Sequence, residues 1–291
     1  ESKLIGTALH RLVPLAGPVE TIRFPPGYSR LMLSRLQDEW AALVAATRSL
    51  DRQTITVLIA TVLLLFVQFT LGDRSLFYNE LAGWAPTQWR GVLAWGWWFG
   101  MQGLTGFVVP VLLLTLVFKR RPSDIGLGAG DWKLATALAA LYVPAVAIGT
   151  WVLSNGSDFQ AQYPHYQPAA KNWSFFIVYE LLFLFYWMGW EYLWRGFVLF
   201  GTARTFGLYA IFVQAVPFAL LHVNKPLPEA VLSVVGGVAL GALVWRCRSF
   251  WIAVPIHAAQ MLLLDLWCSL RIRTGVSGIG PEALVELFST L

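Results

Sequence analysis

Long apolar segments occupy most of this chain and constrain its fold more than any other feature. A helix needs about 20 apolar residues to cross the hydrocarbon core of a bilayer, which is about 30 Å thick. The apolar segments lie at 54–72, 92–118, 134–153, 173–200, 207–223, 229–246 and 251–270. A chain in lipid must satisfy its backbone hydrogen bonds internally, so the pattern predicts an all-α fold, a polytopic transmembrane bundle of about seven helices.

The charge content agrees with a membrane protein. Only 13% of the 291 residues are charged, whereas a soluble domain carries about 25%. The formal net charge is +5, but the basic residues lie between the apolar segments and form no basic face with interleaved aromatic residues. The excess is typical of topology signals and of contact with anionic lipid headgroups. We therefore expect membrane lipids as partners and no nucleic acid.

The basic residues also predict an orientation. If the segments cross the membrane alternately, one side receives Arg48, Arg52, Lys119, Arg120, Arg121, Arg204, Arg246 and Arg248. Cytoplasmic loops carry an excess of Lys and Arg, which places the N-terminus in the cytoplasm and, after an odd number of crossings, the C-terminus outside. Arg271 and Arg273 favour the alternative of an even number. No signal peptide is recognisable, and we expect an integral, multi-pass protein of a bacterial inner membrane.

The N-terminal residues 1–52 differ from the remainder, 53–291, which forms the predicted transmembrane domain. They mix apolar residues with arginines and prolines, and the stretch from Ser29 to Leu50 has helical spacing of Leu, Trp and Ala. We interpret it as an amphipathic helix lying on the membrane surface. The alternative is a soluble tail.

Glycine pairs within the apolar segments predict close helix packing. Gly96 and Gly100, like Gly237 and Gly241, have the GxxxG spacing that lets two membrane helices approach. We interpret both pairs as packing devices and not as functional residues.

Ionisable residues inside membrane segments are costly, and each is a candidate functional residue. Those of the apolar segments are Glu180, Glu191, Arg195, His222, His257 and Asp265. All lie in the second half of the chain. The first half therefore resembles a scaffold, and the second half carries the candidate site.

Glu191 and Arg195 are four residues apart, so their side chains share one helix face and can pair. In a functional interpretation Glu191 is a base that activates water, and Arg195 keeps it ionised and oriented. In a structural interpretation the two form a buried ion pair that fixes helix packing. The spacing favours neither.

His222 and His257 accompany this glutamate in separate apolar segments. An imidazole can transfer a proton or donate to a developing oxyanion, although a single His at a helix end is more often a cap or a satisfied interior residue. Two His and a Glu could also hold zinc, but the HExxH spacing is absent. A divalent metal is therefore not favoured, and no cofactor is expected.

Further polar residues share the His257 helix. Gln260 lies beside His257, whereas Asp265 is two turns away, about 12 Å, and could orient His257 only through a bridging group. Glu180 lies about 16 Å before Glu191 on the same face. We interpret Glu180 as a polar residue near the outer end of its helix.

These motifs together resemble the CAAX-protease and bacteriocin-processing (CPBP) superfamily over residues 119–270. The resemblance rests on Glu191-x-x-x-Arg195-Gly196, on Phe218-x-x-x-His222 and on His257 in a third helix, in that order. It implies a membrane-buried cavity in which Glu and His activate water to cut a peptide bond near a terminus of a membrane-associated protein.

Two positions depart from the family pattern. The pattern has two adjacent glutamates, and the first of them is Trp190 here, which cannot accept a proton. The pattern also has an Asn four residues after the third His, and here that position is Met261. Gln260 is the neighbouring residue that could donate a hydrogen bond in its place, if the helix is rotated.

The resemblance leaves two functions to be compared. The first is a protease in which Glu191 is the base, Arg195 orients it, and His222 and His257 position water and stabilise the tetrahedral intermediate. The second is an inactive member that binds a lipid, a cofactor or a partner subunit, which Trp190 and Met261 favour. A transporter would show internal repeats, and none is recognisable.

Overall fold

The computed structural model describes residues 28–290, with side chains from residue 32 onward. Residues 1–27, and with them half of the predicted N-terminal amphipathic segment, lie outside the described residues. The chain divides into two compact units between Leu50 and Asp51. The first contains one described helix, α1 (Tyr28–Arg48), in which Met32, Leu36 and Trp40 are exposed at helical spacing. Its place on a membrane surface stays a prediction.

The regular secondary structure in the described part of the second unit is entirely helical, as the apolar segments predict. Its principal helices are α2 (Arg52–Thr70), α3 (Arg90–Gly103), α4 (Trp132–Leu153), α5 (Trp173–Glu191), α6 (Ala210–Leu220), α7 (Leu227–Cys247), α8 (Ala253–Thr274) and α9 (Pro281–Ser289). Two short helices, Ser157–Gln162 and Gln167–Lys171, lie in the connection between α4 and α5. The prediction of an all-α membrane bundle is confirmed.

Within the described residues, six helical runs are long and apolar enough to cross a membrane: Arg52–Thr70, Thr87–Val117, Trp132–Leu153, Trp173–Leu220, Leu227–Cys247 and Phe250–Thr274. The protein is thus an integral, multi-pass membrane protein, while the predicted number of seven is not confirmed. The difference lies in the 48-residue run Trp173–Leu220, where two segments were expected. Its second part, α6, has only 11 residues, about half of what a crossing needs.

Local chemistry explains where the central helices begin and break. The Asn172 side chain accepts hydrogen bonds from the backbone N–H groups of Ser174 and Phe175 and so caps the start of α5. After Glu191 the helix widens into a π-helical stretch, Tyr192–Val198, and continues to Phe206. Gly207 then ends it with a φ of 53°, a value that only glycine adopts readily.

Helices α3 and α5 approach each other through glycines that the GxxxG pattern did not indicate. A Cβ atom at Gly189 would lie 2.2 Å from the backbone oxygen of Gln102, and one at Gly106 would lie 2.3 Å from the backbone oxygen of Gly189. Beside this crossing the rings of Phe99 and Phe183 stack at 4.5 Å. The contact fixes α5, which carries Glu191, against the scaffold of the first half.

The two predicted GxxxG pairs behave differently. Gly237 and Gly241 face α6, where a Cβ atom would lie 3.0 Å from Phe218 and 2.5 Å from Gln214. Gly100, in contrast, has nothing within 4 Å of its Cβ position. Close packing therefore holds for the pair on α7, but Gly100 takes no part in a close contact.

We expect Gly189→Ala to destabilise the bundle, because its methyl group meets backbone rather than a movable side chain. Overpacking of this kind costs about 1–3 kcal/mol, which thermal unfolding of the detergent-solubilised protein would record as a lower midpoint. Gly100→Ala is the matched control, expected to unfold at or slightly above the wild-type midpoint. Equal midpoints for the two variants would contradict the proposed crossing of α3 and α5.

Candidate active site

Glu191 is the last residue of regular α5 before the π-helical stretch, and its carboxylate contacts the side chains of two other helical residues. Its Oε1 atom accepts a hydrogen bond from Arg195 Nη1 at 3.1 Å and lies 2.6 Å from His257 Nδ1. The side chains of Glu191 and Arg195 are fully buried, and His257 is 8% exposed. The structure thus brings together a carboxylate, a guanidinium and an imidazole from α5 and α8. Helical π-turns are frequent at functional sites.

Several atoms of this buried group have no hydrogen-bond partner within the part of the chain that the structure describes. They are Glu191 Oε2 and the Nε and Nη2 atoms of Arg195. The Arg195 guanidinium instead packs over the ring of Phe218 at 4.1 Å, a cation–π contact. Unsatisfied buried polar atoms are uncommon in native proteins, and a charged pair carrying them is expected where function, and not stability, maintains it.

The end of α6 fixes the tautomer of His222. Its Nδ1 atom lies 2.8 Å from the backbone oxygen of Phe218, an acceptor, so Nδ1 carries the hydrogen and Nε2 keeps its lone pair. Burial lowers the pKa of His222 to about 4, so the ring is neutral at pH 7. His222 can therefore accept a hydrogen bond from water through Nε2, but in this state it cannot donate one to an oxyanion.

His257 has the corresponding arrangement. Its Nδ1 faces the carboxylate of Glu191 at 2.6 Å, so the hydrogen on Nδ1 is donated to that carboxylate and the lone pair again lies on Nε2. The ring packs on Trp187 at 4.2 Å. The carboxylate is placed to stabilise the imidazolium form, which makes Nε2 a base with a built-in counter-charge.

Both histidines line one cavity of about 330 Å³. Its other lining residues include Phe69, Asp73, Arg74, Trp95, Trp98, Phe99, Gln162, Tyr163, His165, Phe183, Tyr186, Trp187, Trp190, Leu221, Lys225, Glu229 and Met261. Glu191 is absent from the lining because His257 covers it. The carboxylate therefore reaches the cavity through the imidazole.

The structure places the remaining predicted residues at different distances from this cavity. Trp190 lies in its wall with its ring 6.3 Å from that of His222. Met261 also lines it and supplies no hydrogen-bond donor. Phe218 separates Arg195 from His222, at 4.6 Å from the latter ring.

Gln260, which the sequence suggested as a substitute for the missing Asn, is not among the residues that line the cavity. Its Oε1 atom accepts a hydrogen bond from the hydroxyl of Tyr142 on α4 at 3.0 Å, so the side chain is turned away from the cavity. One residue of offset rotates a helical side chain by about 100°. Helix α8 is regular here and does not compensate for that rotation.

Asp265 is also separate from His257. It is fully buried, and neither of its carboxylate oxygens has a hydrogen-bond partner within the described residues. Glu180 on α5 lies near enough to act on it electrostatically. Asp265 therefore makes no hydrogen bond to His257 in the described part of the chain.

The cavity wall contains a polar group near His222 that sequence reasoning missed. Tyr163 and His165 lie in the connection between α4 and α5, while Lys225 and Glu229 lie just beyond His222. The Tyr163 hydroxyl donates to the carboxylate of Glu229 at 2.5 and 2.6 Å. Lys225 Nζ lies 2.9 Å from His165 Nε2. Only the position of Lys225, three residues after a predicted site residue, could have indicated this group.

The cavity can be compared with the ligand set that a catalytic metal ion requires. Among the described residues, no group of three or more His, Cys, Asp or Glu side chains could hold a metal ion. His222 and His257 line the same cavity, but the described residues bring no third side chain together with them to complete the ligand set of a catalytic zinc site.

The comparison with known families finds a match at the segment that carries the site. Residues 172–263 match the family described as "Type II CAAX prenyl endopeptidase Rce1-like", a segment that includes Glu191, Arg195, His222 and His257. Neither a search of curated proteins nor a search of solved structures found a match. The resemblance to CPBP proteins is confirmed for this segment, and the match supports a CPBP-type intramembrane protease fold.

We expect Arg195→Met to destabilise the protein strongly, because it leaves the Glu191 carboxylate without its buried cation. Breaking a buried pair in this way costs about 3–5 kcal/mol. The matched control is Arg246→Met, which removes an exposed 3.6 Å pair with Asp131 that is worth less than about 1 kcal/mol. Thermal unfolding in detergent measures both.

A double variant separates charge from packing. Adding Glu191→Gln to Arg195→Met removes both charges, so the unfolding midpoint should recover part of the loss. If the double variant unfolds at a lower temperature than Arg195→Met alone, the carboxylate is not the source of the destabilisation.

Proposed function

We propose that this protein is an intramembrane endopeptidase that hydrolyses a peptide bond near a terminus of a membrane-associated protein or peptide. The observation that carries the proposal is the 2.6 Å contact between Glu191 and His257 at the wall of a cavity that also contains His222. The family match over residues 172–263 supports the same reaction class, since its description names an endopeptidase.

In the proposed mechanism Glu191 and His257 act as one unit. A water molecule in the cavity gives a proton to His257 Nε2 while its oxygen attacks the carbonyl carbon of the scissile bond. Glu191 stabilises the imidazolium that forms, and Arg195 keeps the carboxylate ionised and oriented. His257 then returns the proton to the leaving nitrogen, the C–N bond breaks, and an acid and an amine are released.

Two cavity residues assist this reaction. His222 accepts a hydrogen bond from the same water through Nε2, which is free because Nδ1 is used at the end of α6. Trp190 lines the cavity beside it, and its indole N–H is a donor only. We assign to that N–H the stabilisation of the oxyanion, for which Met261 has no donor.

A second candidate function follows from the same residues. Glu191 is fully buried and covered by His257, and neither Trp190 nor Met261 is a residue that the family pattern uses for catalysis. In this alternative the cavity binds a lipid, a peptide or a partner subunit without hydrolysis. Replacement of both histidines would then leave function unchanged.

We place the protein in a bacterial inner membrane with a cytoplasmic N-terminus, on the strength of the distribution of basic residues in the sequence. Reporter fusions at the loops after Val117 and after Leu153 would test the orientation. These loops are expected on opposite sides of the membrane, because a single candidate span, Trp132–Leu153, lies between them.

Glu191→Gln is expected to reduce cleavage by about 100-fold or more, because a neutral amide cannot stabilise the imidazolium. Purified protein in lipid nanodiscs would be given membrane-anchored peptides, including prenylated ones ending in Cys-aliphatic-aliphatic-X, and the products identified by mass spectrometry. His257→Ala is expected to have an equal or larger effect.

Gln260→Ala is the control, since its side chain is turned towards Tyr142 and should leave cleavage unchanged. Cleavage by Glu191→Gln at the wild-type rate would overturn the mechanism. Peptide binding without any product from the wild-type protein would favour the non-catalytic candidate.

A further inference from the structure

Lys225 brings a positive charge into the cavity wall close to the proposed catalytic residues. It belongs to the turn after α6, where its backbone N–H donates to the backbone oxygen of His222 at 3.0 Å. Lys225 and His222 line the same cavity. The two side chains can therefore contact the same ligand.

His165 holds the Lys225 ammonium group through a defined tautomer. The Nδ1 atom of His165 lies 3.0 Å from the backbone oxygen of Gln162, so it carries the hydrogen, and Nε2 has a lone pair that accepts from Lys225 Nζ at 2.9 Å. Burial and the neighbouring Lys225 charge together lower the pKa of His165 to about 3. His165 thus remains neutral, and it positions the ammonium group without neutralising it.

The ammonium group keeps unused donors. Lys225 Nζ has three hydrogens, and one of them is directed at His165. It lies 5.1 Å from the centre of the Tyr163 ring, and within the described chain no carboxylate is within ion-pair distance of it. Glu229 and Asp265 act on it electrostatically at longer range, and both Glu229 carboxylate oxygens accept from the Tyr163 hydroxyl.

The environment favours an anionic ligand. Burial lowers the pKa of Lys225, which means that its ammonium form lacks solvation that a negatively charged group would restore. An ammonium group forms a stronger hydrogen bond with a carboxylate than with a neutral acceptor. The stiff frame of His165 and Tyr163 holds the donor in place before a ligand arrives, which reduces the entropy lost on binding.

We propose that Lys225, held by His165, is a subsite for the free C-terminal carboxylate of the peptide substrate. This inference rests on the proposed endopeptidase function and specifies which terminus lies in the cavity. A cavity of about 330 Å³ is at the small end of ligand sites, so it accommodates a short segment and not a folded chain. A carboxylate bound at Lys225 lies in the same cavity as His222 and His257.

Binding measurements test the subsite without requiring cleavage. The full-length Glu191→Gln protein in phosphatidylcholine nanodiscs would be titrated with a fluorescent, S-prenylated peptide ending in Cys-Val-Leu-Leu, with either a free carboxylate or a C-terminal amide. We expect the free acid to bind about tenfold or more tightly. In Lys225→Met this preference should disappear because the acid becomes as weak as the amide, whereas Lys225→Arg should keep it.

Arg74→Met is the matched control. Arg74 is the other cation of the cavity wall, but it is exposed and stacks over Trp95 at 3.9 Å. It should therefore leave the preference for the acid intact. Loss of the preference in Arg74→Met, or its persistence in Lys225→Met, would overturn the assignment to Lys225.

Two further binding experiments test whether another anionic group, a side-chain carboxylate or a lipid phosphate, binds to Lys225. An amidated peptide with Glu as its last residue should bind as weakly as the plain amide, and tight binding would show that any carboxylate suffices. Exchange of phosphatidylcholine for phosphatidylglycerol should leave the preference unchanged, and its loss would assign Lys225 to a lipid phosphate. A wild-type protein that discriminates acid from amide but releases no product would refute the protease and retain the subsite.

Discussion

A carboxylate, an imidazole and a guanidinium that share one buried oxygen determine the arrangement of the second half of this protein. Arg195 and His257 supply the two hydrogen-bond contacts of the buried Glu191 Oε1 atom, and a buried carboxylate that loses such partners is strongly destabilising. The π-helical stretch after Glu191 and the glycine crossing of α3 on α5 keep it in that position. Because His257 comes from α8, the same oxygen joins two residues that are 66 positions apart in the sequence.

The division of polar groups around the cavity follows from that arrangement. Glu191 and Arg195 lie behind the wall, while His257, His222 and Lys225 form its polar surface. The Nδ1 hydrogen of each imidazole is directed at an acceptor, the main-chain oxygen of Phe218 for His222 and the Glu191 carboxylate for His257. The cavity thus presents two imidazole lone pairs and one ammonium group amid aromatic rings, a combination suited to a short peptide with a polar end.

The periodicity of the sequence predicts most of the helices and the Glu191–Arg195 pair. The features that it does not predict have physical reasons. The spacing of Glu191 and Arg195 indicates a shared helix face, and apolar runs indicate the helices. The number of crossings could not be read from the sequence because α6 is apolar but too short. The sequence could not show the direction of the Gln260 side chain, because one residue of offset rotates a helical side chain by about 100°. It could not indicate His165, because a connecting segment has no periodic pattern.

The short helix α6 has a consequence for how such a site can change. The hydrogen on His222 is dictated by the carbonyl group of Phe218, which the terminal turn leaves open, and not by any neighbouring side chain. Substitutions such as those at Trp190 and Met261 can therefore accumulate around the ring without reversing its polarity. Part of the chemistry is encoded in the main chain, where amino-acid exchange does not erase it.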